Sequence, residues 1–375
     1  MYVLITGGAG FIGSHLAAAL IGRGHAVTAL DTLSPQIHGD IGEAAMQVAL
    51  PGVTLVKGDV RDRDLLARLL AGHDAIVHLA AETGTGQSMY EIERYVDVNT
   101  RATGLLLDLI VNAEKKPSRV VVASSRAIYG EGAGQCPTHG VVYPGARSVE
   151  DMSAGVFEPR CPRCGAECSL TATPEDAPAR PSSVYGLTKL DQELMVLMCC
   201  ESVDVPAIAL RYQNVYGPGQ SLKNPYTGIL SIFSTAILSG QPIRVFEDGE
   251  ESRDFVHVAD VVQATVLAIE APASATGVFN VGAGEAVSVL EVTRALAASY
   301  DREAEVVVTG EFRKGDIRHN VADLTRIRQA LGFEPKWSFE RGLKTFTDWV
   351  QGQPVETSGY ARSLDEMRER GLLRI

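Results

Sequence analysis

Short apolar runs alternate with longer stretches of helical periodicity through most of the first 214 positions. Tyr2–Thr6, Ala26–Leu30, Val53–Val56, Ala75–Leu79 and Val120–Ala123 are apolar without polar alternation, as parallel strands buried on both faces are. Phe11–Arg23 carries helical spacing and stops at Gly24, and Arg61–Leu70 reads as a further helix. Ser183–Cys200 predicts a long helix, followed by a strand at Ala207–Arg211. Such alternation predicts right-handed βαβ units and an α/β fold with a doubly wound parallel sheet. From Val215 onward the strands shorten and Gly and Pro become frequent. The expected division is therefore a dinucleotide-type domain over 1–214, with a Cys-rich insert at 133–180. A smaller C-terminal lobe follows over 215–375, with 258–271 packing back on the first domain. The tail opens with Pro, Thr, Ser and Gly and is expected to end in a charged surface helix, Ser363–Leu373, with no chemistry assigned.

Bulk numbers narrow the partners. The chain has 375 residues, 45% hydrophobic and 21% charged, which is ordinary for a globular protein. A net charge of −12 argues against a nucleic-acid surface. No apolar run reaches the ~18 residues of a membrane span. The N-terminus reads as a strand rather than a basic leader, so the expectation is a cytoplasmic chain without membrane contact. Its six cysteines do not suggest a disulfide framework in that setting.

Candidate chemistry begins at Gly7, Gly10 and Gly13, between the first strand and the first helix. Glycines there allow a tight turn and close approach of backbone to a pyrophosphate, and the first-turn residues Phe11 and Ile12 offer N–H donors. This is the Rossmann-type pattern. Asp31 closes the second strand, where a carboxylate accepts from both ribose hydroxyls and repels a 2′-phosphate, so NAD is preferred to NADP. Asp59 and Val60 end the third strand near an adenine edge, although Asp59 equally suits a helix cap. Downstream, Tyr185 and Lys189 stand one helical turn apart. A phenol titrates near 10, and an adjacent ammonium with a cationic nicotinamide would bring it toward neutrality. Ser125, at the end of the Val120–Ala123 strand, is the candidate to hold a substrate oxygen.

Taken together, the sequence resembles the extended short-chain dehydrogenase/reductase family, the nucleotide-sugar epimerases and dehydratases. The resemblance rests on Thr6–His15, His78–Ala81, Ser124–Gly130, Tyr185–Lys189, Arg211–Pro218, Arg253–Val258 and Arg313–Asp316. It implies NAD as cofactor, with Leu79, Ala80, Ala81, Asn99 and Lys189 against it. It implies that Asn214, Arg253 and Arg313 hold a substrate diphosphate and that Asp316 helps at the nucleotide. Those side chains suit a dianion. Gln213 departs from the phenylalanine usual beside the nicotinamide pocket. Family dehydratases carry Asp-Glu where this chain has Arg126-Ala127, so the implied reaction is inversion at C4 through a 4-keto sugar. Leu30–Gly39, Ala81–Met89 and Asn224–Gly228 are similar to the bacterial dTDP-L-rhamnose 4-epimerase group. On that likeness Thr83, Gln87, Arg126, Asn224, Tyr226 and Thr227 are expected at the sugar nucleotide, and the chain is expected to form a homodimer. The alternatives are a ketoreductase, dehydratase or decarboxylase on the same scaffold, or a non-catalytic protein that senses NAD.

Ser125 and Tyr185 lie 60 residues apart, and the extra stretch holds Cys136-Pro-Thr-His139-Gly and Cys161-Pro-Arg-Cys164-Gly. Two such turns suit a structural Cys3His zinc knuckle, with Cys168 as a competing ligand. The competing reading is an unmetalled insert with free thiols.

Overall fold

The computed structural model describes residues 1–222, 224, 228–354 and 360–374, without the side chains of 360 and 361. Seven parallel strands form the central sheet: β1 (Tyr2–Thr6), β2 (Ala26–Asp31), β3 (Thr54–Lys57), β4 (Ala75–His78), β5 (Arg119–Ser125), β6 (Ala207–Tyr212) and β7 (Gly277–Val281). Their spatial order is β7-β6-β5-β4-β1-β2-β3. Every residue of β5 is buried, which is why the run carries no polar alternation.

Helices cover both faces. On one, Leu16, Ala17 and Leu20 of α1 (Phe11–Gly22) share a core with Val261, Val262 and Ala268 of a later helix, α4 (Val258–Glu270). On the other, Leu106 and Ile110 of α2 (Ala102–Asn112) pack with Val196 and Cys200 of α3 (Val184–Glu201). The order of strands reverses between β1 and β4, and a crevice at that switch point is where doubly wound sheets bind ligands. A second core, including Tyr216, Leu230, Phe233, Val292 and Phe346, supports the C-terminal lobe.

Return of the chain to the first layer goes beyond 258–271. Strand β7 pairs with β6, and Leu324, Ile327 and Phe333 join the same core as α4. A five-residue strand that contains Gly277 and Asn280 reads equally as part of the lobe, and only its pairing decides. The tail also differs from a free surface helix. Tyr360–Glu369 is helical, but Leu364, Met367 and Leu373 pack on Phe246, and Leu373–Arg374 pairs antiparallel with Phe312–Arg313. Among the described residues no helix is long and apolar enough to cross a membrane.

Candidate active site

Backbone makes the crevice at the ends of β1 and β4. Gly7 adopts φ +69°, and its N–H bonds to the Leu30 carbonyl at 2.8 Å. A Cβ at Gly13 would stand 2.4 Å from the Gly7 carbonyl oxygen, and one at Gly7 would stand 2.9 Å from the Ala80 nitrogen. Nothing larger than hydrogen fits at either position. Gly10 precedes α1, so the first-turn N–H groups of Phe11 and Ile12 have no intrahelical partner, while their side chains pack on the core. Asp31 ends β2; its carboxylate accepts from Ala9 N–H at 3.1 Å and Leu33 N–H at 2.9 Å, and His38 Nε2 lies 3.5 Å away. These glycines form a cradle that a Cβ would fill, at a helix N-terminus beside a carboxylate; the residues fit a dinucleotide.

The edges of this crevice are held by side chains. Asp59 accepts from Arg61 N–H at 2.8 Å; Asp62, not Asp59, caps the following helix through Leu65 N–H at 3.0 Å. Val60 is buried. The segment Leu79, Ala80, Ala81 passes over Gly7, with Ala80 N–H donating to Thr6 Oγ1 at 3.2 Å. Asn99 lies in a π-helical turn, Val96–Arg101, and is fully buried. Its Oδ1 accepts from Glu82 N–H at 2.7 Å, and its Nδ2 donates to the Glu82 carbonyl at 3.1 Å and Thr188 Oγ1 at 3.0 Å. Asn99 thus ties the loop after β4 to α3.

Ser125 stands at the C-terminal end of β5, and Tyr185 and Lys189 on the inner face of α3. Ser183 caps that helix, accepting from Gly186 N–H at 3.1 Å. A Cβ at Gly186 would lie 2.5 Å from the Ala127 carbonyl oxygen, so α3 presses directly on the strand end. That contact brings Tyr185 and Ser125 into hydrogen-bonding reach. Burial raises the Tyr185 phenol above its ordinary value; the Ser125 hydrogen bond and the Arg126 charge oppose this and do not overcome it. The lowered phenol expected from sequence is therefore not a property of the chain alone. Burial pushes the Lys189 ammonium down to about 7, with Glu193 pulling it up. Lys189 Nζ donates to Gln192 Oε1 at 2.6 Å, and Gln192 Nε2 donates to Thr103 Oγ1 at 2.8 Å and faces His78 Nε2 at 3.2 Å. Burial, then the Lys189 charge, lowers His78 to about 3, so its ring is neutral. Neither Gln192 nor His78 was assigned a role from sequence, although Lys189 and Gln192 share a helix face at a spacing of three.

Guanidinium groups dominate the opposite wall. Arg126 donates from Nε to Asn214 Oδ1. Arg253 reaches Asp316 Oδ1 at 3.2 Å, and Arg313 reaches Asp316 Oδ2 at 3.1 Å. Burial would raise Asp316, but Arg313, Arg253, Arg147 and Arg126 outweigh it and hold its carboxyl well below the usual range. Burial and repulsion from Arg253 lower Arg126 to about 10. Three guanidiniums face one carboxylate here, a surplus that suits a diphosphate. Behind them, buried Arg147 binds Glu131 at 2.9 Å, Glu247 at 2.8 Å and the Asp316 carbonyl at 3.1 Å. Arg318, 2% exposed, bonds Glu158, Glu247 and Asp248.

Other expected contacts are placed differently. Gln87 is buried with its amide engaged by Gln36 at 3.2 Å, Glu91 at 3.1 Å and Tyr95 at 3.2 Å; it orders the loop instead of facing the cleft. The Thr83 carbonyl accepts from Tyr95 OH at 2.6 Å. Asn224 is buried, and Tyr226 and Thr227 lie outside the described residues. Both amide atoms of Gln213 are buried without a partner. Cys136, His139, Cys161 and Cys164 converge, their ligand atoms within 4.8 Å of one another. Sequence reasoning missed Met367 and Leu372 of the tail, which line the cleft beside Gly86, Arg126 and Arg313. Leu364 and Met367, three apart in a charged segment, were the available signal.

Known proteins share this arrangement. A dTDP-L-rhamnose 4-epimerase from Burkholderia thailandensis is 40% identical over 351 residues, covering 93% of this chain and 94% of that protein. A dTDP-glucose 4,6-dehydratase from Streptomyces niveus is 28% identical, covering 94% and 93%. The solved structure of MoeE5 in complex with UDP-glucuronic acid and NAD superposes with a TM-score of 0.75 at 30% identity, covering 94% of this chain and 99% of that one. The NAD dependent epimerase/dehydratase family matches residues 3–147 and 163–282, and the chain belongs to that family.

Proposed function

We propose that this chain is an NAD-dependent 4-epimerase of a nucleotide-diphosphate sugar, a dTDP-6-deoxyhexose or a close relative. The observation that carries the reading is the end of β5. Arg126 and Ala127 follow Ser125, where expulsion of a C6 hydroxyl would need an acid and a base. The next carboxylate, Glu131, is bound to Arg147 and to Arg318 N–H and is not free for that work. Likeness to the Burkholderia enzyme favours the 6-deoxy sugar.

Gly7, Gly10 and Gly13 would hold NAD, which when bound would supply a hydride acceptor for C4 of the sugar. Tyr185 accepts the 4-hydroxyl proton and gives it back, while Ser125 holds the oxygen. Burial keeps the Tyr185 phenol high, and a cation bound beside it would bring it down. Lys189, lowered to about 7 by burial and bonded to Gln192, stands one helical turn from Tyr185 and would hold the cofactor ribose. Arg253 and Arg313, with Asn214, retain the diphosphate while the keto sugar turns; Arg126 stands beside them and Asp316 helps at the nucleotide. Leu187, Leu194 and Met198 form an exposed apolar stripe on α3, which favours a homodimer testable by sedimentation.

Proton NMR of the enzyme with a panel of nucleotide sugars, dTDP-L-rhamnose included and without added reductant, tests the reading. A second anomeric signal rising to a constant ratio is the expected result. A 4-keto signal, or turnover only with NADH or NADPH, would point to the dehydratase, decarboxylase or ketoreductase. No turnover of any sugar with NAD bound would favour the sensor.

A further inference from the structure

The insert between β5 and α3 carries a cluster that the chemistry at Tyr185 does not use. Two turns face each other, Cys136–Gly140 and Cys161–Gly165, each ending on a glycine of positive φ, +68° at Gly140 and +73° at Gly165. The first joins the antiparallel strands Gly134–Cys136 and Gly140–Val142; the second is closed by Gly165 N–H to the Cys161 carbonyl at 2.9 Å. Cys136 Sγ lies 3.7 Å from Cys164 Sγ and 3.6 Å from His139 Nδ1, and Cys161 Sγ lies 3.5 Å from that same nitrogen. A disulfide would need about 2.05 Å. A tetrahedral zinc, with Zn–S of about 2.3 Å and Zn–N of about 2.05 Å, has S···S edges near ~3.8 Å and S···N edges near ~3.6 Å. The three edges match those of such a tetrahedron. Cys161 Sγ also accepts from Arg163 N–H at 3.5 Å, a donor placed to support a thiolate. Cys168 points instead to the Ala166 carbonyl at 3.9 Å and stands outside the quartet.

We propose that Cys136, His139, Cys161 and Cys164 hold one zinc ion. Four protein ligands leave no open coordination position, so the ion is structural. The two turns need such a staple because the apolar cluster that they share is small, Cys136, Val142, Cys161 and Cys168, and two of these are ligands. The staple also serves the cleft. Insert residues Arg147 and Glu158, with Glu131 just before the insert, grip the segment Asp316–His319, which carries the carboxylate between Arg253 and Arg313. This last consequence rests on the epimerase reading; the metal does not.

Elemental analysis of the full chain, purified without a histidine tag or added metal, should give one zinc per chain. Cobalt exchanged into the protein should show the visible bands of a tetrahedral thiolate site. Cys164→Ser and His139→Ala should lose the metal, and Cys168→Ser should keep it. A folded, metal-free chain whose six thiols all titrate and which takes up no cobalt would overturn the proposal. So would loss of metal from a folded Cys168→Ser. Because a ligand variant can fail to fold, the wild-type chain stripped by chelator is the second measurement; zinc returned to it should be taken up one per chain. Stripping should raise KM for the nucleotide sugar several-fold with kcat little changed. An unchanged KM with stoichiometric zinc would remove the link to the cleft and leave the metal site standing.

Discussion

From Gly7 to Ala81 the glycine half of the cleft is made largely of backbone, whereas the arginine half is made of side chains from four separate segments. On the first side, close contacts such as the 2.4 Å a Gly13 Cβ would make decide the geometry. On the second, Arg126, Arg147, Arg253 and Arg313–Arg318 are arranged around a few carboxylates, and removing one charge leaves others buried without a partner. Backbone sites tolerate no added atom; charge networks tolerate no missing one.

Four measurements would break or sharpen this contrast. Tyr185→Phe should lower turnover by about 10²- to 10⁴-fold and leave the melting temperature and bound cofactor unchanged. Equal activity would sink the proton-transfer assignment, whichever half binds tighter. Arg147→Met should destabilise the fold by roughly 3–5 kcal/mol in urea, because Glu131 and Glu247 stay buried. It should also raise KM for the nucleotide sugar; a neutral variant would mean the network is dispensable. Gly13→Ala should cost about 1–3 kcal/mol and release cofactor, with the charge network intact. Retention of NAD by this variant would show that the glycine turn is looser than its contacts imply. The smallest signal is a pH dependence at Lys189, whose folded value near 7 lies below the unfolded 10.5. Between these values the unfolded chain holds more protons, so the wild-type chain gains stability as pH rises, by at most ~1.4 kcal/mol per pH unit. Lys189→Met lacks that slope. Urea curves of cofactor-free protein at pH 7 and pH 9 should show the difference between wild type and variant moving in favour of wild type; parallel changes would mean that Lys189 stays charged in the fold.

What was legible in the sequence follows the same division. Gly7, Gly10 and Gly13 are set by local spacing, as are the apolar runs of β1 to β6 and the Tyr185–Lys189 pair. Arg147 meets its carboxylates across 16 and 100 residues, and Arg318 meets Glu247 across 71, separations at which no local pattern exists. Gln87 sits in a segment that resembles a sugar-binding one, yet its amide is engaged by Glu91 and Tyr95 nearby and by Gln36 from 51 residues away. The pairing of β7 and the docking of the tail helix are not legible for a related reason: their burial comes from distant partners, β6 in one case and Phe246 in the other.

The π-helical turn at Val96–Arg101 makes the chain sensitive to a change in length there. Such a turn carries one residue more than an α-helix needs. Deleting a single residue before Asn99 would let the segment settle into regular α-helix and move that side chain off the position it holds in the widened turn. The Glu82 backbone would then lose both of its amide contacts, and the loop after β4 its tie to Thr188. A one-residue gap at this place should therefore be far harder to accommodate than a substitution at any of its exposed positions.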